Sequence, residues 1–166
     1  MPDAFGLAAI VTKLALYLGV MTAAGTVFAK VMFRLKHTRG LVIVFGLLGL
    51  GAAILAFSLR GANLTGDVTG MTDPEMLGLL WSTPVGTALM LRLMGLCLVV
   101  AGLFMGRVGS WVSVVGGIIA IWSFDHVGNV SGGDTTLLDI ALTLHLLAGA
   151  LWIDVLKPLK RLASSS

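Results

Sequence analysis

Apolar residues run along this chain in long blocks, broken by short clusters of charge, glycine and proline. Reading those blocks gives five segments, 7–33, 41–59, 84–105, 111–127 and 136–156. Each is near the roughly 20 apolar residues that a helix needs to cross a bilayer at ~1.5 Å per residue. No sustained strand pattern competes with them. The expectation is an all-α polytopic membrane protein, a single domain over 1–166 built as a bundle of five transmembrane helices in the lipid bilayer. Residues 60–83 are the only long polar stretch between spans. Within it Asp73-Pro74-Glu75 reads as a helix start and predicts a short interfacial helix over 74–81 before the third span. Trp81 suits the headgroup level, and Pro84 opens the third span at its first turn.

Composition narrows the class. The chain is 57% hydrophobic and 11% charged, with a mean hydropathy of +1.01. A soluble domain carries about 25% charged residues, so a water-soluble globule is excluded. Cys97 is the single cysteine and permits no disulfide within the chain; a net charge of +3 gives no reason to expect nucleic acid. The segment before the first apolar run lacks a basic residue and the run itself is long, so the first helix is expected to be retained rather than cleaved as a leader.

The position of each charge orients the bundle. Arg34, Lys36 and Arg39 follow the first span, Arg107 follows the third, and Lys157, Lys160 and Arg161 follow the fifth. The opposite side holds Arg60 but also Asp3, Asp67, Asp73, Glu75 and Asp134, with Asp125 and Asp139 near it. Because short cytoplasmic loops retain Lys and Arg, the N-terminus is expected outside and the C-terminus in the cytoplasm, with an acidic outer face. Small-residue rows (Gly109, Ser113 and Gly117; Gly102 and Gly106; Gly49 and Ala53) predict close helix contacts. They form no phosphate loop.

Ionisable groups within the apolar spans are the candidates for chemistry, because burying them in lipid is costly. Lys30 and Lys13 lie near the ends of the first span, within reach of an interface. Arg92 lies eight residues after Pro84, ~12 Å along the helix at ~1.5 Å per residue. It reads either as a structural ion-pair partner, with Asp125 or Asp139, or as a site residue. His37 belongs to a basic loop. His126 sits near the outer end of the fourth span, and His145, within Leu144-His145-Leu146, lies inside the fifth, on one face with Gly149 and Trp152. Met90, Met94 and Cys97 follow i, i+4, i+7 spacing on the third span and line one face, with Arg92 turned roughly the other way. Such soft ligands favour Cu(I), and imidazole also suits copper, although a methionine stripe equally serves packing. Met71 and Met76 extend the sulfur set into the outer segment. No Ser/His/Asp or Cys/His grouping carries an activating partner, so no enzyme activity is expected.

Three segments together resemble one family. Ala62-Asn63-Leu64-Thr65-Gly66-Asp67, Asp73-Pro74-Glu75-Met76-Leu77-Gly78 and Ser82-Thr83-Pro84-Val85-Gly86-Thr87-Ala88-Leu89-Met90-Leu91-Arg92 are similar to the bacterial copper resistance protein D (CopD) family, in which a T-x-x-G-x-x-x-x-x-R helix follows an outer loop of this kind. Leu144-His145-Leu146-Leu147-Ala148-Gly149-Ala150-Leu151-Trp152 is similar to that family's L-H-L-L-A-A-A-L-W, with Gly149 replacing an alanine. Asp125 stands where the family has glycine before the fourth-helix histidine, and Trp152-Ile153-Asp154 stands for its W-L-G. The resemblance carries over Arg92, His126, His145 and Trp152. It implies a multi-pass inner-membrane protein that handles copper between periplasm and cytoplasm, often beside a periplasmic CopC-type copper-binding partner. Family members usually run to about twice this length, so a half-length or truncated member is expected, working as a homo-oligomer or within a larger membrane complex.

Three functions follow from these features. The first is copper transport through His126 and His145, assisted by Met90, Met94 or Cys97, along weak successive sites. The alternative is a haem-b electron carrier in which His126 and His145 ligate the iron between two helices. A further alternative is a non-catalytic subunit of a larger membrane complex, whose small-residue rows bind partner helices.

Overall fold

A computed structural model describes residues 4–33 and 38–124. Their order is α1 (Ala4–Phe33), α2 (Arg39–Thr65), a single 3₁₀ turn (Val68–Met71), α3 (Pro74–Trp81), α4 (Pro84–Gly102) and α5 (Gly106–Trp122). The described residues contain no strand. Three helices, Gly6–Phe33, Arg39–Thr65 and Pro84–Gly102, are long and apolar enough to cross a membrane, and Val108–Trp122 is a shorter apolar helix. The expected fifth span, 136–156, lies outside the described residues.

The boundaries follow local chemistry. The second span runs to Thr65, six residues beyond the expected end at 59. Polar side chains there cap their own helix: Asn63 Nδ2 donates to the Leu59 carbonyl at 2.9 Å and Thr65 Oγ1 to the Gly61 carbonyl at 3.1 Å. Gly66 then ends the helix at φ 73°, a left-handed conformation that a side chain would oppose. The short helix α3 forms where it was expected. Asp73 accepts a hydrogen bond from the Glu75 amide at 3.0 Å, and Pro74 takes the first helical position, where its missing N–H costs nothing. Trp81 on α3 meets Phe57 of α2 edge-on with ring centroids 6.2 Å apart, which ties α3 to the bundle. Leu79 and Trp81 stay exposed, as suits the membrane interface.

The four long helices form a closed ring in the order α1, α2, α4, α5 and back to α1. Val20 and Val27 of α1, Val42 of α2, Leu96 and Val99 of α4 and Ile121 of α5 fill the centre. Large apolar side chains such as Ile10, Val44, Ile54, Trp111 and Val115 remain exposed on the outside, where lipid is as good a solvent as the core. Stability in such a setting depends on how closely backbones approach. A Cβ on Gly95 would lie 2.6 Å from the Ala120 amide nitrogen, and one on Gly19 would lie 2.6 Å from Gly49 Cα, so both contacts are backbone to backbone. Gly102 packs against Gly109 and Ser113, and the Ser113 hydroxyl donates to the Val99 carbonyl at 2.9 Å across the α4–α5 contact. Gly106 does not continue the expected Gly102 row; it takes φ 63° at the start of α5 with open space around it.

Candidate functional site

The α4–α5 pair sets the depth of everything else. Its antiparallel register places Gly102 beside Gly109 and Ser113, and Gly95 beside Gly116 and Ala120. Continued by the same steps, the register brings the end of α5 level with Arg92. Helix α5 stops there, at Trp122, instead of reaching the expected 127. Seventeen residues make it ~26 Å long at ~1.5 Å per residue, somewhat short of a ~30 Å hydrocarbon core.

Arg92 uses that helix end. Its Nε donates to Ser123 Oγ at 3.1 Å, and the Ser123 hydroxyl donates in turn to the Ala120 carbonyl at 2.6 Å. The guanidinium carbon lies 4.6 Å from the centre of the Phe124 ring. On that ring Tyr17 of α1 stacks at 4.6 Å, with the planes 11° apart. Three effects therefore offset the cost of a cation among apolar helices: the negative end of the α5 dipole, a hydrogen bond and the face of an aromatic ring. The sequence offered Asp125 and Asp139 as partners for Arg92, and both lie outside the described residues.

Arg92 also lines a cavity of about 400 Å³. Ala9, Lys13, Leu16 and Tyr17 supply the α1 wall, Ala53, Ala56, Phe57, Leu59, Arg60 and Asn63 the α2 wall, Val85, Leu89 and Arg92 the α4 wall, and Phe124 the end of α5. On each helix these positions recur at three- and four-residue steps, so one stripe of each helix faces the same space. The basic residues Lys13 and Arg60 thus stand beside Arg92, with the Asn63 amide and the Tyr17 phenol as neutral polar groups. Sequence reading did not single out Tyr17, Arg60, Asn63 or Phe124 as site residues. The available signals were that Arg60 is a base on an otherwise acidic side and that Tyr17 is the only tyrosine, one turn from Lys13.

The sulfur row lies elsewhere. Met90 and Met94 are 58% and 45% exposed and Cys97 is exposed, so these residues occupy the face of α4 turned away from the bundle. Arg92 and the row are on different sides of one helix, as the spacing required. Met71 and Met76 are half-buried near α3. Among the described residues no group of three or more His, Cys, Asp or Glu is gathered to hold a metal ion. His126, His145 and Trp152 lie outside the described residues.

Residues 1–129 match the family model of copper resistance protein D-like proteins, N-terminal domain. The chain belongs to this family. The CopD-like match covers α1 to α5, the whole 66–83 segment, Arg92 with its cavity, and His126, whereas His145 and Trp152 follow it. No curated protein and no solved structure matches. The family and the apolar helices together make the chain a helical membrane protein of the copper-resistance type.

Proposed function

We propose that this CopD-like chain passes copper between periplasm and cytoplasm across a bacterial inner membrane, with His126 and His145 as ligands and Met90, Met94 and Cys97 as a soft accessory row. The observation that carries the reading is the family match over residues 1–129, which takes in the Arg92 helix, the sulfur row and His126. Ligand chemistry supports it, because imidazole, thioether and thiolate all suit copper, and several weak sites pass an ion on where one tight site would retain it.

The distribution of charge supports an orientation with the N-terminus outside and the C-terminus in the cytoplasm. Asp67, Asp73 and Glu75 then sit at the outer entrance, where they draw cations and face a CopC-type donor. Because the sulfur row is turned outward on α4, its use as a ligand set requires a covering element, and a second copy or a companion membrane subunit meets that need. Thioethers facing lipid alone would give a copper ion too few ligands.

The test is metal content together with an absorption spectrum. Purified protein loaded anaerobically with Cu(I) should retain copper without a Soret band, and His126→Ala and His145→Ala should each lower the retained copper. A Soret band in the purified protein, or copper retention unchanged in both variants, would overturn the reading.

A further inference from the structure

Lys13, Arg60 and Arg92 come from three different helices and line a single cavity. Among the described residues, none that lines it carries a carboxylate. Two of the three acids of the nearby segment are engaged in caps: Asp67 accepts from the Val68 amide and the Thr69 hydroxyl, and Asp73 caps α3 through the Glu75 amide. Three like charges around one low-dielectric space repel one another, and a bound anion reverses the sign of that interaction. A free copper ion there would be repelled by these three cations.

Donor geometry narrows the anion. Arg92 commits its Nε–H to Ser123, and none of the described residues takes the four N–H groups of its two terminal nitrogens, which face a ligand. Phe124 lies against the guanidinium and is itself stacked on Tyr17, so the group is held in place before a ligand arrives. Arg60 brings a second fork, and Asn63, three residues along the same helix, brings an amide. Lys13 adds a point charge. Planar forks plus an ammonium match the several oxygens of a phosphate, whether monoester, diester or inorganic. A volume of about 400 Å³ falls in the range of small-ligand sites, roughly 300–1,000 Å³. The cavity lies at the same end of the bundle as α3, whose exposed Leu79 and Trp81 mark the headgroup level.

We infer that this cavity is a binding site for a phosphate oxyanion, gripped by Arg92 and Arg60 with Lys13, Asn63 and Tyr17 around it. The source is either a phospholipid head group or free phosphate. This inference does not depend on the copper ligands proposed above, and its test is run without copper.

The full chain is purified in phosphate-free, lipid-depleted dodecylmaltoside and its thermal midpoint followed against two probes, inorganic phosphate and phosphatidylglycerol, each matched for ionic strength with chloride. The expected result is a saturable rise in midpoint with at least one probe. Response to phosphatidylglycerol alone identifies a head group, and response to inorganic phosphate identifies the free ion. Arg60→Gln and Lys13→Gln should each raise the half-saturating concentration at least tenfold; Lys13 is exposed, so its variant retains the fold if Arg60→Gln does not. A midpoint that neither probe moves beyond the chloride control would overturn the site, as would unchanged half-saturation in both variants. Phosphate sensitivity that appears only in Asp125→Asn would also overturn it, since the chain's own carboxylate would then fill the space.

Discussion

The guanidinium of Arg92 rests 4.6 Å from the ring centre of Phe124, and this contact joins the third span to the end of the helix that follows it. The ring is shared, because Tyr17 stacks on it at 4.6 Å. A deep arginine is thereby held by an aromatic face and a serine hydroxyl.

Phe124→Leu keeps an apolar side chain but removes both ring contacts. It should cost about 1–2 kcal/mol, the sum of one cation–π and one stacking interaction in a partly desolvated site. Reversible unfolding in detergent would measure this, and the double variant with Arg92→Gln should lose less than the two single losses added together. Full additivity would separate the two residues energetically.

Backbone approach gives a paired prediction. Gly95→Ala places a methyl 2.6 Å from the Ala120 amide and must push α4 from α5, at a cost of about 1–3 kcal/mol. Gly51→Ala, on the exposed side of α2 with nothing within 4 Å, should be neutral or stabilise by up to about 1 kcal/mol. Equal losses in both would remove close packing as the reason for these glycines.

Much of this architecture is legible in the residues. Lipid demands long apolar runs, and capping chemistry at Asp73 and Pro74 is local, so the first three spans and α3 could be read directly. The continuation of α2 to Thr65 was missed because Asn63 and Thr65 look like loop residues, while their side chains return to the preceding carbonyls. The early stop of α5 was missed because Ser123 and Phe124 follow Trp122 with no glycine or proline to mark an end. Sulfur spacing on α4 correctly separated Met90, Met94 and Cys97 from Arg92, since one helix fixes its own faces. The cavity was invisible for the opposite reason: Lys13, Arg60 and Arg92 meet through interhelical register, which no single segment encodes.

Orientation can be read by labelling. In a Cys97→Ser background, Thr72→Cys in the segment before α3 should react with an impermeant maleimide added outside intact cells, and Gly40→Cys at the start of α2 should react only after lysis. The reverse pattern would invert the proposed topology.

The sulfur row makes its own prediction. Cys97 is exposed on the outward, lipid-facing side of α4, and the reacting thiolate is disfavoured in apolar surroundings, so a membrane-permeant maleimide should modify it slowly but measurably at raised pH. Cu(I) should slow that reaction at least several-fold if the row engages copper, and Met90→Leu with Met94→Leu should weaken the protection. An identical rate with and without copper would leave the row as lipid-facing packing.

Copper movement itself is the most direct test. Protein reconstituted in sealed vesicles should carry Cu(I) across the bilayer at a rate proportional to protein, and the His126→Ala/His145→Ala double variant, inserted to the same level, should fall at least tenfold toward the protein-free leak. Flux in the double variant equal to wild type, or wild-type flux no higher than empty vesicles, would contradict the account.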